Sequence, residues 1–130
     1  QQVIDQLDIQ DFADRKTKGF SQGQRTKVSL ARALVHGPRN VILDEPSNGL
    51  DVMATRALRE LIRDLRRAGK CVLFSSHVMQ EVAALCDEIV IISSGKVAVH
   101  DTPDGIRNVT GKDDLEEAFV KAIDMVEGRE

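Results

Sequence analysis

Apolar positions recur along the chain in two rhythms, and together they predict its elements. Residues 1–18 are polar and charge-dense, with Val3, Ile4, Leu7, Ile9, Phe12 and Ala13 as scattered apolar anchors, which suits a short helix followed by a loop. From Ser21 the spacing predicts a helix with Val28, Ala31 and Leu34-Val35 on one stripe, stopped by Gly37-Pro38. Val41-Ile42-Leu43 is an apolar run without alternation, the pattern of a strand buried on both faces. After a turn over residues 46–49, Asp51 can cap a helix of about four turns. Its stripe is Ala54, Leu58, Leu61-Ile62 and Leu65, while Arg56, Arg59, Arg63, Arg66 and Arg67 form a solvated face.

Gly69 ends that helix, and Cys71-Val72-Leu73-Phe74 reads as a second buried strand. Val78-Met79, Val82 and Leu85-Cys86 mark another helix, followed by a third strand over residues 89–92 and a hairpin turning at Ser94-Gly95. Residues 103–108 predict one helical turn. Leu115, Ala118-Phe119 and Ala122-Ile123 mark a final amphipathic helix. Strand, helix, strand, helix, strand is the order of βαβ units, so the expected fold class is α/β with a largely parallel sheet.

Composition narrows the ligand classes. With 18 basic and 21 acidic residues among 130, the formal charge is −3, which gives no bulk attraction to nucleic-acid phosphates. Four Phe with no Trp or Tyr offer no stacking platforms for single strands. Nucleic acid is therefore not expected as a direct partner. Cys71 and Cys86 make no disulfide framework and read as small buried hydrophobes in a reducing compartment. No apolar run approaches membrane-spanning length. The start at Gln1 has neither an initiator Met nor a basic leader, and reads as the interior of a longer chain.

Candidate chemistry gathers at strand ends. Asp44 and Glu45 close the first apolar strand at the carboxyl edge, where open α/β sheets bind ligands. If the strand ran through them, their side chains would point to opposite faces. One acid could then serve a hard cation and the other act as a base, although taken in isolation an Asp-Glu-Pro at a strand end reads better as the start of a turn. Ser21 and Gln24 have capping-box spacing, worth about 1 kcal/mol, and a helix start containing Gly23 also exposes backbone donors to an anion. His77 follows Ser75-Ser76 at the end of the second strand, on the same edge as the acids if the strands are parallel neighbours. His36, His77 and His100 are too scattered for a His-held metal.

Read in order, these pieces resemble the ABC-type ATPases. Phe20-Ser21-Gln22-Gly23-Gln24-Arg25 is similar to the family's signature motif, and Val41-Ile42-Leu43-Asp44-Glu45-Pro46 to its Walker B strand with the following Glu. Ser47-Asn48-Gly49-Leu50-Asp51 resembles its D-loop, and Ser75-Ser76-His77 its switch histidine. The likeness runs over about residues 1–108. It implies part of a P-loop NTPase (RecA-like) sheet with part of the ABC helical subdomain: residues 1–37 from that subdomain, 38–108 from the core, and 109–130 a C-terminal helical tail.

The resemblance also implies roles. Asp44 would hold Mg²⁺, Glu45 would polarise the attacking water, and His77 would contact the γ-phosphate of ATP. Ser21, Gly23 and Gln24 would complete the ATP site of a second nucleotide-binding domain packed head to tail, with Asp51 at that interface. Transmembrane permease subunits would be the other partners, placing the parent protein in the cytoplasm on the inner face of the cell membrane. The stretch around residues 75–106 looks most like bacterial export-type subunits of the sodium-export and drug-resistance groups. A soluble ABC ATPase acting on ribosomes or DNA is the alternative.

Two departures stand out. Gln22 occupies a position where the family usually has Gly, which crowds the signature turn. No G-x-x-x-x-G-K-[ST] phosphate loop occurs anywhere; the nearest approach, residues 105–112, has five intervening residues and continues into Asp113. The resemblance therefore implies the C-terminal half of an ABC ATPase domain, expected to be inactive by itself.

Overall fold

The computed structural model describes residues 1–129 and resolves into two compact units, Gln1–His77 and a second beginning at Val78. In the first unit, α1 (Gln2–Leu7) and a short 3₁₀ turn (Gln10–Phe12) precede α2 (Gln22–Leu34). Then β1 (Asn40–Leu43), α3 (Val52–Arg67) and β2 (Cys71–Phe74) form a single βαβ unit. The strands pair in parallel with register Asn40↔Cys71 to Leu43↔Phe74. Phe12 and Phe20 meet edge to face at 5.2 Å between ring centres, a favoured aromatic geometry that closes the loop before α2.

α3 forms where the pattern predicts it. Asp51 Oδ1 accepts the Ala54 N–H at 2.8 Å, and Leu58, Leu61 and Ile62 are buried along the expected stripe. Arg63 and Arg67 pair with Glu60 and Asp64 one turn back, so part of the arginine row is neutralised within its own helix. α2 departs from expectation on its stripe: Leu30 and Leu34 are buried, whereas Val35 is the C-cap and 71% exposed. The buried line follows i, i+4 from Leu30, and Val35 lies past the end of the helix.

The strands also differ from expectation. β1 buries Val41 and Leu43 but leaves Ile42 76% exposed, and its register partner Leu73 on β2 is 63% exposed. Each strand therefore presents one face inward, as period-two geometry requires when only one side of a sheet is covered. An all-apolar run conceals that period. Cys71, on the uncovered face, is exposed rather than buried.

The second unit contains α4 (Met79–Leu85), the antiparallel pair β3 (Ile89–Ser93) and β4 (Lys96–Asp101), α5 (Pro103–Thr110) and α6 (Leu115–Glu127). Ser94 and Gly95 both take positive φ, 50° and 73°, the backbone of the two-residue hairpin turn the sequence predicts. β3 pairs with β4 in a sheet of its own. The largely parallel sheet expected from element order thus reduces to the β1–β2 pair among the described residues. α5 has two turns rather than one, because Thr102 accepts the Gly105 N–H as N-cap and Gly111 ends the helix in the left-handed region. The unit's core is Val82, Ile91, Ile106, Leu115, Ala118 and Ala122, with Ile106 fully buried. Glu127 near the end of α6 accepts the Ser93 and Ser94 hydroxyls at 2.6 and 3.0 Å, tying the last turn of helix to the hairpin. The tail read as 109–130 is described through Arg129; Glu130 lies outside the described residues.

Candidate functional site

Parallel register carries the acids to the histidine. Leu43 pairs with Phe74, and the Ser75 N–H donates to the Leu43 carbonyl at 3.0 Å, so the ladder runs one step past the strand end. Asp44 and Glu45 therefore emerge beside Ser75 and His77. The Ser75 hydroxyl donates to Asp44 Oδ1 at 2.5 Å and accepts the Glu45 N–H at 2.8 Å. His77 Nδ1 lies 3.1 and 3.2 Å from the two Glu45 carboxylate oxygens.

The two acids avoid the opposite-face geometry of a continuing strand. β1 ends at Leu43, and Glu45 takes φ 45°, a left-handed conformation uncommon outside glycine. That turn is closed by the Asn48 N–H donating to the Glu45 carbonyl at 3.0 Å. Glu45 is half-buried, while the His77 side chain is 83% exposed and open to an incoming group.

A second cluster forms at the start of α2. Ser21 and Gln24 complete a full capping box: the Gln24 N–H donates to Ser21 Oγ at 3.1 Å, and the Ser21 N–H donates to Gln24 Oε1 at 3.0 Å. Both side chains act as acceptors in this box, so the Ser21 hydroxyl proton and the Gln24 amide NH₂ stay available as donors beside the main-chain N–H groups of the first turn. The loop ahead of α3 packs tightly on this turn. Gly49, at φ 76°, has the Gln22 side chain directly over its Cα, and Gly23 faces the Gly49 carbonyl. The Thr26 hydroxyl lies 3.0 Å from the Gln22 carbonyl and 3.1 Å from the Asn48 carbonyl, pinning helix to loop. The crowding expected of Gln22 is thus real, and it is accommodated by the absence of a Cβ at residue 49.

Ser21, Gly23, Gln24, Gly49 and Asp51 line one open groove of about 700 Å³. Asp44 and Glu45 line another of about 480 Å³ with Gln22, Thr26 and Asn48. The five-residue loop over 46–50 separates the two. All seven residues singled out from sequence therefore sit in the first unit, in two neighbouring clusters. Ser75, the residue that joins the acids, has no role in the sequence reading. Its register position opposite Asp44 was the available signal.

Among the described residues no group of three or more His, Cys, Asp or Glu converges on a point. No helix among the described residues is long and apolar enough to cross a membrane.

A profile of the ABC transporter family matches residues 1–48. The chain is 40% identical over 115 residues to the ABC transporter ATP-binding protein NatA of Bacillus subtilis (strain 168), covering 88% of this chain and 47% of that protein. It is 44% identical over 101 residues to the aliphatic sulfonates import ATP-binding protein SsuB of Albidiferax ferrireducens, covering 77% of this chain and 36% of that one. Among solved structures, an ATP-binding subunit of an ABC transporter superposes with a TM-score of 0.85 at 29% identity, over 93% of this chain and 51% of its own. The chain thus spans about half the length of NatA and of that solved structure.

Proposed function

Because the chain belongs to the family of ABC transporter ATP-binding proteins, we propose that it supplies the hydrolytic acids and the partner-facing helix start of an ATP site that drives transmembrane transport. The observation that supports this most is the placement of Asp44, Glu45, Ser75 and His77 in one hydrogen-bonded cluster at the sheet's carboxyl edge.

In this reading Asp44 would hold Mg²⁺, and Glu45 would orient and polarise a water. His77 is hydrogen-bonded to Glu45 and exposed enough to reach a terminal phosphate. Bound Mg·ATP supplies the phosphoryl group and a charge-screened leaving group; positioning and charge stabilisation are what the protein contributes. The start of α2 with Gly23, beside Asp51, faces a second nucleotide-binding domain. That domain and permease subunits are the proposed partners, at the cytoplasmic face of the cell membrane.

Export is the direction we favour, from the likeness of residues 75–106 to export-type subunits. SsuB is named for import, so similarity over this span reports the shared ATPase rather than the cargo. The domain division 1–37, 38–108 and 109–130 stays with this proposal.

Without a phosphate-cradling loop, the 130-residue chain is expected to bind ATP weakly and not to turn it over. The test is co-expression with a segment carrying G-x-x-x-x-G-K-[ST] from a relative. Mg²⁺-dependent phosphate release that disappears with Glu45→Gln supports the assignment. Release that persists in Glu45→Gln refutes it.

A further inference from the structure

We propose that Ser75 is a positioning residue for both acids of the site, an inference that deepens the ATP-site reading and rests on it for its functional meaning. Its hydroxyl lies 2.5 Å from Asp44 Oδ1 and 2.8 Å from the Glu45 nitrogen. A hydroxyl has one proton and two lone pairs, so one arrangement satisfies both contacts. The proton goes to the carboxylate, and a lone pair takes the Glu45 N–H.

The location of that hydroxyl is set by the sheet. Ser75 N–H donates to the Leu43 carbonyl at 3.0 Å, which fixes its backbone in register with the strand that delivers the acids. Glu45 sits at φ 45°, a conformation a side chain with a Cβ adopts only where the surroundings hold it. Two contacts do so: the Asn48 N–H on the Glu45 carbonyl and Ser75 Oγ on the Glu45 N–H. Through them the Glu45 carboxylate is turned toward His77, two residues beyond Ser75. One side chain therefore aligns the proposed cation ligand directly and the proposed base through its backbone. Alanine removes both contacts; threonine keeps both.

The experiment uses the isotopically labelled 130-residue chain as wild type, Ser75→Ala and Ser75→Thr, without nucleotide, in solution NMR. Three signals are read: the intraresidue HN–Hα cross-peak of Glu45, which is intense for left-handed residues, the exchange rate of the Glu45 amide, and the Asp44 carboxyl carbon resonance. Ser94, also left-handed at φ 50° but in the hairpin of the other unit, serves as the internal reference. The expected result is a strong Glu45 cross-peak in wild type and Ser75→Thr. In Ser75→Ala it weakens severalfold, the amide exchanges about tenfold faster, and the Asp44 carboxyl resonance moves, with Ser94 unchanged. A Ser75→Ala chain whose Glu45 and Asp44 signals match wild type overturns the proposal, as does loss of the signals in Ser75→Thr and Ser75→Ala alike. Should Ser75→Ala fail to fold, wild type alone decides: a Glu45 amide that exchanges at the rate of a free loop overturns it, and a protected one supports it. No outcome depends on ATP hydrolysis, so failure of the ATPase reading leaves this result separately readable.

Discussion

Replacing Gly49 with alanine tests the contact between the loop and the start of α2. A Cβ built on Gly49 would lie 2.4 Å from Gln22 Cγ and 3.1 Å from Gln22 Cβ, and the backbone is already at φ 76°. Two costs follow. The left-handed conformation penalises a residue bearing a Cβ by about 1–2 kcal/mol. The overlap forces Gln22 or the loop to move, which in packed regions costs about 1–3 kcal/mol. Gly49→Ala is therefore expected to destabilise the first unit by roughly 2–5 kcal/mol in urea unfolding followed by circular dichroism and by resolved amide signals of that unit. Gln22→Ala alone should be nearly neutral, since residue 22 is exposed in a first helical turn. The double variant removes the Cγ overlap and leaves the backbone term. A coupling of about 1–3 kcal/mol in the double-mutant cycle is expected. Strict additivity of the two substitutions would refute steric contact as the reason residue 49 carries no side chain.

The exposed and buried positions of β1 should respond very differently: Leu43→Ala is expected to cost about 2–4 kcal/mol, and Ile42→Ala under about 0.5 kcal/mol, in the same urea assay. Similar losses at both positions would contradict a one-sided sheet. Burial of the Cys86 thiol, reinforced by the negative charge of Asp87, pushes its pKa up to about 11, whereas Cys71 is exposed. With a disulfide reagent near pH 8, one thiol should react promptly and map to Cys71, and the half-buried Cys86 more slowly in the folded chain than after unfolding; equally prompt modification of both would contradict this difference. The Ser93 and Ser94 hydroxyls, with the Arg129 charge beside them, hold Glu127 below its ordinary carboxyl pKa. A depressed carboxylate contributes stability that is fully present above the unfolded-state pKa and is lost as pH falls through the lowered folded value. Acid titration of the second unit, monitored at its hairpin, should therefore flatten in Glu127→Gln relative to wild type. An unchanged acid profile would show that this carboxylate does not contribute.

What could be read ahead of the structure was what acts locally. The capping box of Ser21 and Gln24, the Asp51 cap and the Ser94-Gly95 turn depend on residues within a few positions, and each forms as expected. Strand faces were not legible in Val41-Ile42-Leu43, because three apolar residues in a row carry no information about which side is covered. The same ambiguity hid the exposure of Cys71, whose surroundings in sequence are apolar but whose face of the sheet is open. The pairing of β3 with β4 alone follows from the short hairpin, a connection that favours the antiparallel neighbour over a distant parallel one. At the site, Asp44, Glu45 and His77 stood out by residue type and position at strand ends. Ser75 did not, since its partner is 31 residues away and the contact exists only once the register is set.

The loop from Pro46 to the Asp51 cap behaves as a strut of fixed length. Pro46 is buried at one end and Asp51 is bonded to α3 at the other. Between them, Asn48 N–H and Leu50 N–H donate back three residues to Glu45 and Ser47, and the Asn48 carbonyl meets Thr26 on α2. Adding or deleting one residue would break the turn it falls in and shift the loop against its contact on Thr26 or the Asp51 cap. Surface loops generally absorb insertions readily, but this one cannot. In descendants of this sequence, length variation should therefore collect elsewhere, while the interval between the acid pair and the next helix keeps its count even where its residues change.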